Sequence, residues 1–191
     1  MSDDFGTPSF HQLENRNYLF PTGFYFTVVR APKVGFFGTQ INVPSIDLPE
    51  AVQTTYLKDI PRAGDKMSFQ DLTLTFMVDE DLVNFMEIQN WMRGLGYPES
   101  LDEIYEWQRK TNDYDYPNSY RNEGSLNLYS DATLLIYNSQ QVPHMKVTFE
   151  DVWPSNLTLL QFDSQLTTEQ PIKASVTFKY KIYNIEEVLC C

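Results

Sequence analysis

The sequence predicts a mainly β fold: an antiparallel sandwich or barrel with one flanking α-helix, a projecting hairpin and a helical or loop insertion. Apolar and polar residues alternate along several segments that turn residues separate, which is typical of antiparallel strands. A helical apolar spacing is sustained over one long stretch, residues 80–95. Aromatic residues make up 15% of the chain, and large aromatics favour strands and interfaces.

Length and charge exclude several classes of protein. The 191 residues suffice for one core, so we expect residues 1–191 to form a single domain. The formal net charge of −12 argues against nucleic-acid binding, which needs cations opposite the phosphates. No apolar run approaches the roughly 18 residues of a membrane span, and the acidic start is unlike a signal peptide. Cys190 and Cys191 are adjacent, so we expect reduced thiols on a frayed terminus.

The first part of the chain predicts an arm followed by two strands. Residues 1–20 are polar, mixed and interrupted by glycine and proline, which indicates an arm that is disordered or lies on a neighbour. Residues 23–30 alternate as a strand that ends before Pro32. A second short strand covers residues 38–43.

Residues 44–66 predict a long, partly extended hairpin that projects from the body. Three prolines lie in this stretch, Gly64 lies in a turn, and the part between has strand composition without strong alternation. Unburied strand edges invite pairing, so we expect this hairpin to contact other subunits. The candidate assembly residues are Ala51, Val52, Gln53, Thr54, Thr55, Tyr56 and Leu57.

A strand and then a helix follow the hairpin. Residues 66–78 alternate clearly and predict a strand with one buried face. The helix over 80–95 has Asp79 as its expected N-cap and Glu80 and Asp81 in its first turn. We expect it to pack on the sheet through Leu82, Phe85, Met92 and Leu95.

Residues 96–125 are rich in charged residues, Tyr and Asn, and predict an insertion. Ser100 and Glu103 fit a capping box, which indicates a second short helix there. Strands are then predicted over 126–138, 144–153 and 171–184, and Trp153 and Pro154 are expected to stop the second of them.

No residue pattern supports catalysis, a cofactor or a metal. His11 and His144 lack partners at metal-ligand spacing, and no glycine-rich phosphate loop occurs. The acidic run at 79–81 is explained by a helix start. Asp113 and Asp115 lack the further ligands of a calcium loop. We therefore expect neither enzyme activity nor a cofactor.

The order of these features resembles the tail tube protein family of contractile-tailed bacteriophages, over residues 20–95 and 126–184. Prolines precede a projecting hairpin, a Gly-Asp turn leads to a Thr-alternating strand ending in Asp-Glu, and a helix follows. A Trp-Pro corner and a final alternating strand come late in the chain. The positions that carry the resemblance are Gly64, Asp65, Phe69, Asp71, Asp79, Trp153 and Pro154.

The resemblance implies a structural virion protein whose hexameric rings stack into a hollow inner tail tube that conducts the genome during ejection. It implies as partners further copies of the chain, the tail sheath, the baseplate and the tail terminator. It also implies that DNA passes through the lumen without specific binding and that no membrane is involved. It further implies assembly in the host cytoplasm and a place in the virion tail. Residues 96–125 depart from simple members, which have a shorter connection there.

Two alternatives remain open. A baseplate protein that initiates the tube has a related fold, and the insertion at 96–125 is the feature that favours it. A soluble ligand-binding β-sandwich would stay monomeric and show an aromatic pocket. The candidate pocket residues are Phe36, Phe37, Trp91 and Trp107, for which core or interface positions are the better explanation.

Charge predicts an acidic or neutral lumen. The charge of −12 per subunit becomes −72 in a ring of six. A wall that conducts DNA carries few Lys or Arg, because each phosphate contact adds binding. We expect Lys173, Lys179 and Lys181 to face outside or a neighbouring subunit. The alternative is that the acidity serves only solubility.

Overall fold

The computed structural model describes residues 18–100, 102–103, 128–163, 165 and 170–188. All strand pairs within these ranges are antiparallel. The elements are β1 (Phe24–Val28), α1 (Pro32–Phe36), β2 (Gly38–Ile41), β3 (Ile46–Asp47), β4 (Glu50–Gln53), β5 (Ile60–Ala63), β6 (Ser68–Phe69), β7 (Leu72–Met77), α2 (Val83–Gly96), β8 (Ser130–Tyr137), β9 (Pro143–Leu157), β10 (Lys173–Lys179) and β11 (Ile182–Glu187).

Strand β9 joins the two halves of the sandwich. Its first part pairs with β8 on one side and β11 on the other, and its last residues pair with β10. The strand order is β1-β8-β9-β10-β7-β2, with β11 added on β9. The predicted mainly β, antiparallel fold with one main helix is confirmed, and so are the strands predicted near 23–30, 38–43 and 126–138. The single strand predicted over 66–78 is instead divided into β6, which pairs with β3, and β7, which pairs with β10 and β2.

The prediction that Trp153 and Pro154 stop β9 is wrong. Pro154 is paired with Phe178 at a bulge, where the register skips Ser155. Proline lacks the amide hydrogen of a ladder bond, and a bulge is a position where a sheet tolerates it. A second irregularity lies at Asp151, whose φ is 54°. These two irregularities lie where β9 changes its partners from one sheet to the other.

The prediction of one final strand over 171–184 is also wrong. The chain forms β10 and β11, separated by a two-residue corner between Lys179 and Ile182. Both strands pair with β9, so the chain passes from one sheet to the other at this corner. Tyr180 in the corner still packs on Phe149, which is why the apolar alternation continues across the break.

Helix α2 begins later than predicted, and Asp79 is not its N-cap. Glu80 and Asp81 form a turn in which the Asp79 carbonyl accepts a hydrogen bond from the Leu82 amide at 2.9 Å. Leu82 then takes the N-cap position with φ of 58° and offers no side-chain cap. The acidic residues therefore lie before the helix and not in its first turn.

Buried Asn84 links the start of α2 to the end of β7. Its Nδ2 donates to the Met77 carbonyl at 2.8 Å, and its Oδ1 accepts from the Asp79 amide at 3.2 Å. Both groups of this amide are therefore satisfied, as burial of a polar side chain requires. The Asn84 side chain thus holds the connection between β7 and α2, a role that the sequence predicts for Asp79 as the N-cap.

The face of α2 that packs on the sheet differs in part from the prediction. Ile88 and Trp91 are buried, whereas Leu82 is 36% exposed and does not belong to the core. The other three predicted residues are partly buried against the core, and they are Phe85, Met92 and Leu95.

Aromatic rings connect the layers of the core. The Phe178 ring lies 6.5 Å from that of Phe26 and 6.2 Å from that of Trp91, so it contacts both the other sheet and α2. The Trp91 indole N–H donates to the Leu128 carbonyl at 3.1 Å. Helix α1, which the sequence did not predict, packs on β1 so closely that a Cβ at Gly35 would lie 2.2 Å from the Phe26 carbonyl oxygen.

Several predictions fall mostly outside the described residues. They are the arm at 1–20, of which only residues 18–20 are described, and the part of the insertion at 104–125. At the beginning of the insertion the Ser100 hydroxyl accepts from the Asp102 amide at 3.2 Å, and the Glu103 carboxylate pairs with Arg93. No helix in the described part of the chain has the length and apolar character needed to cross a membrane.

Candidate assembly surface

The predicted hairpin projects into solvent. Strands β4 and β5 pair from Glu50 opposite Ala63 to Gln53 opposite Ile60, and every residue from 45 to 63 is exposed. At the tip Tyr56 is fully exposed and Leu57 is 91% exposed. The hairpin therefore contributes strand edges and apolar side chains that the body of the subunit does not cover.

Local hydrogen bonds hold the hairpin in shape. At its base the Gly64 amide donates to the Pro49 carbonyl at 2.8 Å. A Cβ on Gly64 would lie 2.4 Å from that same oxygen, so the close approach requires glycine. Nearer the tip Arg62 donates to Gln53, and the Thr55 hydroxyl bonds to Lys58 across the turn.

A second, shorter strand pair forms the root through which the hairpin leaves the body. Ile46 of β3 pairs with Phe69 of β6, and the Gln70 amide donates to the Ser45 carbonyl at 3.0 Å. We call residues 44–70 the projecting segment. Its two ends, at Pro44 and Gln70, lie side by side where the segment joins the sandwich.

Two tyrosine hydroxyls hold the two ends of the projecting segment. The Tyr183 hydroxyl donates to the Pro44 carbonyl at 3.1 Å. The Tyr180 hydroxyl donates to the Gln70 carbonyl at 2.8 Å. Both tyrosines lie at or next to the corner between β10 and β11, so one part of the body holds both ends of the projecting segment.

The same tyrosines form an aromatic cluster with Phe69 and Phe149. Ring centroids lie 5.3 Å apart for Phe149 and Tyr180 and 5.7 Å apart for Phe69 and Tyr183. Burial, together with the nearby Tyr183 and Asp71, raises the pKa of Tyr180 to about 12. The hydroxyl therefore stays protonated and able to donate at neutral pH.

Polar contacts reinforce the Gln70 end. Asp71 forms an ion pair with Lys179, and its carbonyl accepts from the Asn42 side chain at 3.0 Å. The Asn42 side chain also accepts from the Thr73 amide. Lys179 is thus engaged at the root of the projecting segment, and the other two lysines of its row, Lys173 and Lys181, are exposed.

The structure brings together some of the motif positions and separates others. Gly64, Phe69 and Asp71 all act at the base or root of the projecting segment. Asp79 lies at the β7–α2 connection, and Pro154 is buried in β9 beside a 37% exposed Trp153. Sequence reasoning missed Tyr180 and Tyr183 as root residues, since their partners are 110 and 139 residues away.

The three candidate pocket aromatics that the structure describes do not converge. Trp91 lies in the core, Phe36 is 74% exposed and packs edge-on against Phe37, and Trp107 lies outside the described residues. A separate open cavity of 330 Å³ beside the β8–β9 turn is lined by Tyr18, Tyr137 and His144 among others.

Acidic, histidine and cysteine side chains in the described ranges form no group of three or more that could hold a metal ion. His11, Asp113 and Asp115 lie outside those ranges.

Solved structures of contractile injection systems share this fold. A protein of the anti-feeding prophage tube-terminating cap has a TM-score of 0.54 at 13% identity, over 95% of this chain and 99% of that one. A protein of the anti-feeding prophage baseplate has a TM-score of 0.54 at 11% identity, over 85% and 90%. One from the sheath-tube complex of an extracellular contractile injection system, PVC, has a TM-score of 0.52 at 14% identity, over 91% and 94%.

At these identities the structural likeness establishes the fold alone. Among curated proteins, no sequence matches the chain. The family model described as phage tail tube protein matches residues 22–186, which include every strand and both helices described above except the final residue of β11. The chain therefore belongs to the phage tail tube protein family.

Proposed function

We propose that this chain is the repeating subunit of an inner tail tube, in which hexameric rings stack into a hollow conduit for the phage genome. Family membership supports a structural role in the tail tube. The observation that carries the finer proposal is the projecting hairpin, whose residues from 45 to 63 are all exposed. In a ring or a stack of rings, neighbouring subunits would cover it.

The hairpin has the properties of an assembly element. Val52 and Ile60 are 55% and 43% exposed on adjacent strands, close to the fully exposed Tyr56. Fully burying an apolar side chain of this size contributes about 1.5–3 kcal/mol, so a few such residues per subunit are a substantial driving force. Open strand edges add backbone hydrogen bonds when a neighbour pairs with them.

The partners follow from the same proposal. Further copies of the chain contact the hairpin, a sheath surrounds the tube, and baseplate and terminator proteins close its two ends. The structures that share the fold come from a sheath-tube complex, a baseplate and a cap, which supports this set of partners. The role needs neither catalysis nor a cofactor, and it places the protein in the virion tail after assembly in the host cytoplasm.

The lumen of this tube is proposed to be acidic or neutral. A ring of six carries a formal charge of −72, and DNA passes a wall of like charge without adhering. Lys179 forms an ion pair with Asp71 at the root of the hairpin, so its positive charge is offset within the subunit. Counting the charged side chains that point at the axis of a reconstructed ring tests this point, and a wall with as many Lys and Arg as Asp and Glu contradicts it.

A tube initiator of the baseplate is the second candidate. One of the structures with a TM-score of 0.54 is a baseplate component, so the fold suits either position in the tail. Copy number separates the two, because a tube contains hundreds of subunits and an initiator forms a single ring. The ligand-binding module has less support, since none of the three candidate aromatics that the structure describes, Phe36, Phe37 and Trp91, lines the described cavity.

Electron microscopy of the purified chain tests the proposal. We expect monomers in dilute solution, rings with six-fold symmetry as the concentration rises, and hollow stacks of uniform diameter at high concentration, with sedimentation showing hexamers and their multiples once rings form. A double substitution of tip residues, Tyr56→Ser with Leu57→Ser, is expected to leave monomers. A chain that stays monomeric at every concentration, or that forms one ring and never a stack, contradicts the tube-subunit proposal.

A further inference from the structure

The projecting segment is attached to the body at two adjacent points. At each point the backbone enters the body, and a side chain of the β10–β11 corner forms a hydrogen bond to it. The Tyr183 hydroxyl donates to the Pro44 carbonyl, and the Tyr180 hydroxyl donates to the Gln70 carbonyl. Between these ends, strands β3 and β6 pair over only two residues each. The root is thus narrow, and the two tyrosine hydrogen bonds attach it to the sandwich.

The corner that carries the two tyrosines is itself firmly placed. Strands β10 and β11 both pair with β9, and the Lys181 amide between them donates to the Glu150 carbonyl at 3.0 Å. The two tyrosine rings lie 6.1 Å apart and both pack near Phe149, which is buried. The hydrogen bonds from this corner therefore fix the orientation of the hairpin relative to the core.

We infer that Tyr180 and Tyr183 form a clamp that sets the direction in which the hairpin projects, and that they act as positioning residues for ring assembly. The assembly part rests on the proposed function. Neither tyrosine has to contact a neighbouring subunit in this role. Each acts through a backbone carbonyl at one end of the projecting segment.

The length of the hairpin makes its direction matter. From the root to the tip is about ten residues, or roughly 30 Å at the rise of an extended strand. A pivot of about 10° at the root would move the tip by roughly 5 Å, which is about one inter-strand spacing. A subunit whose hairpin sampled such angles would often miss the strand edge of its neighbour, and assembly would slow.

The test removes only the two hydroxyls. Tyr180→Phe combined with Tyr183→Phe keeps the rings of the aromatic cluster, so the melting temperature should fall by no more than about 8 °C. In the full chain with Cys190→Ser and Cys191→Ser, spin labels at Leu57→Cys and Gln140→Cys report the distance from the hairpin tip to the β8–β9 turn. These labels are measured in dilute monomer.

We expect the distance distribution to become at least twice as broad in the double phenylalanine variant. Tyr25→Phe is the matched control, because it removes a phenol hydroxyl from the exposed face of β1 and is expected to leave the distribution unchanged. In unlabelled protein we expect tube elongation to slow at least tenfold in the double variant and to be normal in the control.

The outcomes separate the clamp from the proposed function. An unchanged distance distribution in the double variant overturns the clamp, whatever assembly does. A broadened distribution with normal elongation overturns the role of the clamp in assembly. If removal of the hairpin itself leaves tubes intact, the proposed function of the hairpin fails independently of the distances measured in the monomer.

Discussion

The sandwich core and the projecting hairpin are both built from antiparallel strands, but they treat their apolar side chains in opposite ways. Phe76, Phe149 and Phe178 are fully buried between layers, whereas Tyr56 and Leu57 lie in solvent. The core gains its stability within one subunit, and the hairpin has no such gain until a neighbour covers it. We therefore expect the stability of the monomer and its proposed assembly to depend on different parts of the chain, and variants should separate them.

The largest expected effect is loss of polymerisation on deletion of residues 51–57. These residues are all exposed and contribute nothing to the core, so the monomer should stay folded, with a melting temperature within about 3 °C of the original. Electron microscopy and sedimentation should show monomers only. Tubes of normal diameter from the deletion variant would show that the hairpin is not an assembly element.

A matched double substitution controls for the loss of exposed apolar surface in general. Leu159 and Phe162, outside the hairpin, are 77% and 73% exposed. Leu159→Ser with Phe162→Ser removes apolar surface similar to that removed at the tip by Tyr56→Ser with Leu57→Ser. We expect the tip pair to reduce assembly far more than the control pair. Equal effects of the two pairs would mean that nonspecific association of exposed apolar surface, and not the hairpin, drives assembly.

The next effect belongs to the core side of the comparison. Ile88 is completely buried on α2, so Ile88→Ala should destabilise the monomer by about 2–5 kcal/mol. Leu82 is 36% exposed before the same helix, so Leu82→Ala should cost less than about 1 kcal/mol. Denaturant unfolding of the two variants measures this difference. Equal losses would place Leu82 in the core after all.

Leu82 also allows a substitution in the opposite direction. Its φ of 58° lies in the left-handed region, which costs a residue with a Cβ about 1–2 kcal/mol and costs glycine little. Because glycine loses more entropy on folding, we expect Leu82→Gly to leave stability unchanged or to raise it by up to about 1 kcal/mol. A loss above about 1 kcal/mol in denaturant unfolding would show that the Leu82 side chain contributes packing.

The strand faces were predictable because burial on one face imposes alternation. Leu72, Leu74 and Phe76 are buried while the residues between them are not, as the sequence predicts. The incorrect strand boundaries lie where the backbone bulges or turns while the alternation of buried and exposed side chains continues. Pro154 sits at a bulge inside β9, and Tyr180 keeps its inward place at the corner between β10 and β11. Apolar periodicity carries no information about which neighbour a strand pairs with.

The hairpin could be predicted as a projection, but its attachment could not. Prolines, the turn at Gly64 and weak alternation between Ala51 and Leu57 identify an extended stretch without a buried face. The contacts that hold it come from Tyr180 and Tyr183, which lie more than 100 residues further along the chain. Two tyrosines near the end of an alternating strand look like ordinary core residues until the fold brings them to the root.

The smallest effect concerns a single carboxylate on the core side, Glu87 of α2. It faces Lys33 of α1, whose Nζ lies 3.6 Å from its Oε1. Its other oxygen, Oε2, is buried and accepts no hydrogen bond from the described residues. Burial raises the pKa of Glu87, and the attraction of Lys33 only partly offsets this. The charged form is therefore less favourable in the folded subunit than in the unfolded chain.

This sign fixes how Glu87→Gln changes stability with pH. The folded state binds the proton of Glu87 more tightly, so this residue lowers stability progressively as pH rises from about 4 through its raised pKa, and the loss is complete above that pKa. We expect Glu87→Gln to raise the melting temperature of the monomer slightly at pH 7 and to make no difference near pH 4. Because Glu87 belongs to α2 and not to the hairpin, we expect the same variant to assemble into tubes at the normal concentration. Thermal unfolding of both chains at a series of pH values tests the prediction. If Glu87→Gln lowered the melting temperature at pH 7 but not at pH 4, with the original chain as the reference at each pH, the ion pair with Lys33 would outweigh the cost of burial.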